Sequence, residues 1–144
     1  MRILLDVNIL VRANEKATGP ARTLLLMIVE QPHVLLLSSD IITELTEVLR
    51  SSRLQALYGL TDDDLYEYIR FLQNACEFVS VDRLLSVPIR DPKDIAVLQT
   101  AVTGGADIIC TLDSDFSDPQ TVSYCTNLGI EICNDLELMR RIRQ

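Results

Sequence analysis

The sequence predicts an α/β protein: a three-layer α/β/α sandwich around a mainly parallel sheet of four or five strands. Two observations carry that prediction. Short apolar runs of strand length alternate with longer stretches of helical periodicity along the whole chain, the pattern of βαβ units. The first run, Ile3 to Leu5, stops at the carboxylate Asp6, as a buried parallel strand does where it reaches the functional edge of its sheet.

The elements follow in order. Arg2–Asp6 is the first strand. Ala21–Glu30 is a helix, apolar on most sides and so expected to be well buried. Val34–Ser38 is the second strand. Asp40–Arg50 is a helix behind a Ser38-Ser39 cap, with Ile41, Leu45, Val48 and Leu49 on one stripe. Thr61–Asn74 opens on an N-cap threonine and three aspartates, favourable at a positive helix end. Leu65, Tyr68, Ile69 and Leu72 then recur at helical spacing. Glu77–Val81 is the third strand. Asp91-Pro92 starts another helix, with proline at its first position. Ile95, Leu98 and Val102 form the core face of that helix, and Gly104-Gly105 ends it. Asp107–Thr111 and Ile130–Cys133 are the last strands. The stretch Ser114–Asn127 shows no clear pattern. No repeat, low-complexity segment or linker divides the chain, so residues 1–144 are expected to form one domain.

The chain has 144 residues, the usual size of one domain. Its 48% hydrophobic content and mean hydropathy of +0.20 supply a core. Its longest apolar runs, Leu24 to Val29 and Val34 to Leu37, are too short to span a bilayer. No cleavage site follows them, so neither a signal peptide nor a membrane location is expected. The four cysteines form no CxxC pair and have no histidine cluster near them. They read as small apolar residues of a reduced, cytoplasmic protein. A formal net charge of -8 runs against nucleic-acid binding, which favours a basic surface. Two features offset it: acids gathered at a metal are neutralised by the cation, and the basic residues cluster. Arg12, Lys16 and Arg22 form one group, Arg50 and Arg53 a second, Arg140, Arg141 and Arg143 a third.

Four acidic sites stand out. Asp6 ends the first strand, and Glu44 lies about one turn into the helix after the second. Asp94 is in the first turn of the helix at Asp91-Pro92. Asp113 and Asp115 follow the fourth strand. In a parallel sheet all four sites fall on one edge. Like charges about 4 Å apart repel by roughly 4 kcal/mol at an effective dielectric near 20, so such a cluster calls for a hard divalent cation. Singly, each acid has a structural explanation. Asp6 could be a turn or cap residue, Glu44 a solvated helix residue, Asp94 the acidic third residue of a cap led by Asp91, and Asp113-Ser-Asp115 a solvated turn. Their order along an alternating chain favours the site.

That ordered set resembles the PIN-domain family of metal-dependent ribonucleases, especially the VapC-like toxin components of prokaryotic toxin–antitoxin pairs. The matching stretches are Asp6-Val-Asn8-Ile-Leu-Val, Ser39-Asp-Ile-Ile-Thr-Glu44-Leu, Arg90-Asp-Pro-Lys-Asp94-Ile-Ala-Val-Leu through Gly104-Gly-Ala-Asp107, and Thr111-Leu-Asp113-Ser-Asp115-Phe116. The resemblance implies Asp6, Glu44, Asp94 and Asp113 as catalytic residues and as ligands of magnesium or manganese. Asp91 competes with Asp94, and Asp115 assists or replaces Asp113. Asn8 would orient Asp6 or contact substrate, and Arg12 would contact substrate. The implied reaction is endonucleolytic cleavage of RNA, held in check by an antitoxin. The helix Thr61–Asn74, with Tyr66 beside the Tyr68 stripe, is a candidate surface for that partner or for a homodimer.

Other activities fit less well. The only histidine, His33, falls in a loop, which argues against a metal-free ribonuclease with paired histidines. No GxxxxGK[ST] loop is present, which argues against an NTPase. An Asp-nucleophile phosphatase needs a second Asp where Asn8 stands. A receiver domain needs an Asp ending the third strand, where only Asp82 is offered. Two alternatives keep the same fold: an inactive RNA- or protein-binding module, and a housekeeping RNA-processing nuclease.

Overall fold

A computed structural model describes residues 1–144. Five strands form one sheet in the order β3-β2-β1-β4-β5, and every neighbouring pair is parallel. They are β1 (Arg2–Leu5), β2 (Val34–Leu37), β3 (Cys76–Phe78), β4 (Ile108–Cys110) and β5 (Glu131–Cys133). Eight helices flank the sheet: α1 (Val7–Arg12), α2 (Pro20–Glu30), α3 (Ser39–Arg50), α4 (Ser52–Tyr58), α5 (Asp62–Ala75), α6 (Pro92–Thr103), α7 (Pro119–Asn127) and α8 (Asp135–Arg143). This is the expected α/β/α sandwich.

The three inner strands are buried along nearly their whole length, which is why, past Arg2, they read as Val, Ile, Leu and Cys. Ile3 pairs with Leu35 on one side and Ile108 on the other. The chain builds outward from β1 in one direction, through β2 and β3, then restarts on its other side with β4 and β5. The strand order therefore reverses between β1 and β4. A crevice opens at such a switch point, beyond the carboxyl ends of the strands.

Three local details correct the sequence-based expectations. The third strand is Cys76–Phe78, ahead of the expected Glu77–Val81, because α5 runs through Ala75 directly into it. Ser38 does not cap α3 with its side chain; its buried hydroxyl bonds Thr100 Oγ1 on α6 at 2.9 Å. The unpatterned Ser114–Asn127 holds a short 3-10 turn, Ser114–Ser117, followed by α7. By contrast, the Thr61 cap of α5 is complete. Its hydroxyl accepts from Asp64 N at 3.1 Å, and the Asp64 carboxylate accepts from Thr61 N at 3.0 Å.

Two packing features hold helices close to their neighbours. Tyr68 of α5 is fully buried and donates its hydroxyl to the Leu10 carbonyl of α1 at 2.6 Å. Its neighbour Tyr66 is 65% exposed, so the two faces of α5 separate as expected. At the end of α6, a Cβ on Gly104 would meet Val79 Cγ2 at 2.9 Å and Leu36 Cδ1 at 3.2 Å. Only glycine lets α6 approach the sheet this closely. Cys110, Cys125 and Cys133 are buried free thiols, used as small apolar residues. No helix is long and apolar enough to cross a membrane.

Candidate metal centre

Asp6 leaves β1 at the switch point and caps α1, its Oδ1 accepting from Val7 N at 2.7 Å. Its Oδ2 accepts from the Thr111 hydroxyl at 2.6 Å. Thr111 follows β4, and the same hydroxyl oxygen accepts from Asp113 N at 2.9 Å. One side chain thus sets the spacing between the two acids that end neighbouring strands. Asn8 braces the arrangement: its amide oxygen accepts from Leu112 N at 3.3 Å, and its nitrogen lies 3.5 Å from Asp6 Oδ2.

Asp94 enters from α6. Asp91 caps that helix, accepting from Lys93 N at 3.0 Å, and Pro92 holds its first position. Asp94 makes no return bond to the cap and is 5% exposed. Asp94 keeps a favourable place in the first turn but makes no capping-box bond, and its carboxylate turns toward Asp6 and Asp113. Oxygens of Asp6, Asp94 and Asp113 all lie within 4.8 Å of one another. A second group of the same compactness joins Asp94 to Asp91 and Asp115. Asp94 belongs to both groups, while Asp91 and Asp115 stand on its outer side.

The electrostatics are those of acids without counter-charges. Burial pushes the Asp94 carboxyl up, and Asp115, Asp113 and Asp6 push it further, to about 8. Burial also raises Asp6; the Thr111 hydroxyl and Val7 amide oppose it, and Asp113 adds to it. Asp94 Oδ2 is buried without any hydrogen-bond donor. A buried carboxylate oxygen left unpaired costs about 1–3 kcal/mol or more. Three carboxylates, one with an orphaned oxygen, are a hard-oxygen donor set. They fit a divalent cation.

Glu44 lies in the same crevice but outside both compact groups. It pairs with Lys93 at 3.8 Å. Burial raises its pKa, Lys93 lowers it, and Asp6 raises it again. The crevice has a volume of about 760 Å³, and Asp6, Asn8, Arg12, Glu44, Asp94 and Asp113 all line it. Asp115 lies instead in a neighbouring groove that shares Asp91 with the crevice. His33 sits at the opposite end of the sheet, 3.1 Å from the amino terminus. The sequence reading missed one acid: Asp135, 8% exposed, also lines the crevice. It follows β5 as Asp6 follows β1, so the same strand-end rule would have found it.

No curated protein matches the chain in sequence. Among solved structures, the chain is similar to one in the crystal structure of VapBC2 from Rickettsia felis bound to a DNA fragment from their promoter. The TM-score is 0.59 at 15% identity, covering 93% of this chain and 98% of that one, so the likeness is one of fold. The sequence model of the PIN domain matches residues 2–115. That span runs from β1 to the 3-10 turn and takes in every acid of both compact groups, and by it this chain belongs to the PIN domain family.

Proposed function

We propose that this chain is a magnesium- or manganese-dependent endoribonuclease, the toxin of a toxin–antitoxin pair, acting in the cytoplasm as one domain of residues 1–144. The observation that supports it best is the convergence of Asp6, Asp94 and Asp113 within 4.8 Å, with Asp94 Oδ2 buried and unpaired. In this reading those three residues hold the metal, and Asp115 supports it from the outer side. When bound, the cation supplies Lewis acidity, which acidifies a water and offsets charge on the phosphate. The raised pKa of Glu44 suits it to orient that water and take its proton. Thr111 and Asn8 hold Asp6 in place, and Asn8 and Arg12 reach the substrate from the crevice wall.

The antitoxin follows from two supports: the family, and the likeness to a chain of the VapBC2 assembly. An acidic crevice on a chain of net charge -8 attracts a basic partner and speeds its association at low salt. The partner would enter with an Arg or Lys that pairs with carboxylates in place of metal. The exposed face of α5 around Tyr66 is the proposed surface for this partner or for a homodimer.

The test is incubation of the purified chain with a mixed RNA pool in magnesium, manganese or EDTA. Cleavage in either metal and none in EDTA is expected. RNA binding without cleavage would favour the inactive module instead. Co-expression with the neighbouring open reading frame tests the partner. Toxicity relieved by that neighbour is expected. A well-tolerated active enzyme with no co-purifying chain would leave a housekeeping nuclease.

A further inference from the structure

The cations of the crevice are not equivalent. Four basic residues line it: Arg12, Lys16, Arg53 and Lys93. Lys16 is engaged with Asp64 at 3.9 Å and Lys93 with Glu44 at 3.8 Å. Arg12 and Arg53 have no carboxylate within 4.0 Å. An unpaired guanidinium facing a crevice floored by carboxylates is free for an anion. RNA needs such a contact here, because the acid floor repels phosphate wherever no cation intervenes.

Arg53 stands on α4, and α4 has the build of a fixed wall. Ser51 caps its start, its hydroxyl accepting from Leu54 N at 3.4 Å. Gly59 ends it at φ 65, a left-handed turn that glycine adopts without strain. Leu54 anchors it, only 4% exposed. Arg53 and Leu57, and Leu54 and Tyr58, are i, i+4 pairs on adjoining ridges, and all four line the crevice. Leu57 is 68% exposed although it lies in a concave site. A cation beside the exposed Leu57 and the half-buried ring of Tyr58 matches one nucleotide of a single strand: phosphate on the arginine, base against the ring edge and leucine.

We infer that α4 is the wall that holds the RNA strand, with Arg53 gripping a phosphate and Tyr58 and Leu57 receiving an unstacked base. The inference rests on the nuclease reading and locates a nucleotide subsite for its substrate. A duplex keeps its bases turned inward and stacked, so it cannot offer one to Tyr58. Arg53 is a substrate-binding residue in this scheme, since it touches a phosphate beside the reacting one.

The experiment is fluorescence anisotropy with a fluorescein-labelled single-stranded RNA 12-mer in magnesium, using Asp6→Asn protein to prevent cleavage and Asp113→Asn as a second background. Adding Arg53→Ala is expected to weaken binding about tenfold and to flatten the slope of log affinity against log salt by ~0.7, the loss of one single-strand phosphate contact. Arg53→Lys should keep the slope and recover part of the affinity. The duplex of the same sequence should bind at least tenfold more weakly than the single strand. In the otherwise native enzyme, Arg53→Ala should raise KM about tenfold and leave kcat within about twofold. Unchanged affinity and slope would overturn the inference. So would a fall in kcat at constant KM, or normal RNA binding with lost inhibition by a co-expressed partner. Failure of the nuclease reading is read separately, as absence of metal-dependent cleavage by the native chain.

Discussion

The two ends of the sheet treat their carboxylates in opposite ways. Where strands begin, acids are matched to cations or amides. The Arg2 guanidinium pairs with Glu77 and donates to the Gly104 carbonyl at 2.8 and 3.1 Å. The Arg2 amide bonds Asp107 at 2.7 Å, and Arg141 pairs with Glu131. Glu77 is held below the usual carboxylate range by Arg2. Where strands end, Asp6, Asp94 and Asp113 face one another and Asp94 is pushed up to about 8. One composition thus yields a satisfied edge and a frustrated one. Frustration at strand ends that also form the switch-point crevice is the mark of a site kept for a ligand.

The comparison breaks hardest at the acids themselves. Asp6→Asn and Asp94→Asn should each lower RNA cleavage on the order of 100-fold or more, beyond the loss typical of a metal's outer-shell partners. Neither should unfold the protein. In EDTA, Asp6→Asn should melt at or slightly above the native temperature because one repelling charge is gone, and Asp94→Asn should do so above about pH 8, where the Asp94 carboxyl has lost its proton. Were Asp94 a cap residue, its substitution would cost about 0.5–2 kcal/mol, but Asp91 already does that work. Near-native cleavage by both variants would end the assignment. The readouts are a cleavage time course and a melting curve on the same preparation.

Thr111 offers a finer cut. It touches no substrate atom in the proposed scheme, but it sets both Asp6 and Asp113. Thr111→Val keeps the shape and removes both bonds. It should cost about 10–100-fold in activity or metal affinity, as loss of an outer-shell partner does. Thr111→Ser should restore most of it. A titration of activity against manganese distinguishes the two effects.

Much of this edge was legible in the sequence, for a physical reason. Buried parallel strands must be apolar on both faces, so β1, β2 and β4 announce themselves, and the acids after Leu5 and Cys110 are read directly from them. The edge strand β3 is largely exposed and carries no such constraint, so its bounds differ from the expected Glu77–Val81. Ser51 with Gly59, Asp118-Pro119, and Asn134 with Glu137 mark α4, α7 and α8, the same signals that located α5 and α6. What sequence could not show is tertiary: that Asp94 turns inward while Asp91 caps, that Lys93 reaches Glu44, and that Arg53 is left without a partner while Lys16 is not.

The two edges should also part in their response to pH. In the metal-free protein Asp94 keeps its proton to about pH 8, while its ordinary value is 3.8. Between those limits the native state binds more protons than the unfolded state. Stability is therefore full at the acid end of that window and is lost as pH rises through it. Asp6 and Glu44, both raised, act in the same direction. In EDTA the melting temperature should fall from pH 5 to pH 8. Added manganese should stabilise most at pH 8, where the carboxylates are free to bind it. A melting temperature that rises over this range in EDTA, or ignores manganese at pH 8, would mean the acids are not a coupled, metal-seeking group.

The smallest effect belongs to the satisfied edge. Arg2 is over a third exposed and its partner Glu77 about half exposed, so their attraction is largely screened. Arg2→Ala removes that pair and the two bonds to the Gly104 carbonyl, which closes α6 against the sheet. The melting temperature should drop slightly at low salt. The ion-pair part of that drop should vanish near 1 M salt, where the Debye length is about 3 Å, and the part due to the carbonyl should persist. Cleavage should not change, because Arg2 starts β1 and Asp6 lies beyond its far end. A variant that melts normally but cleaves poorly would show the two edges to be coupled through β1, and the division of labour between them would have to be given up.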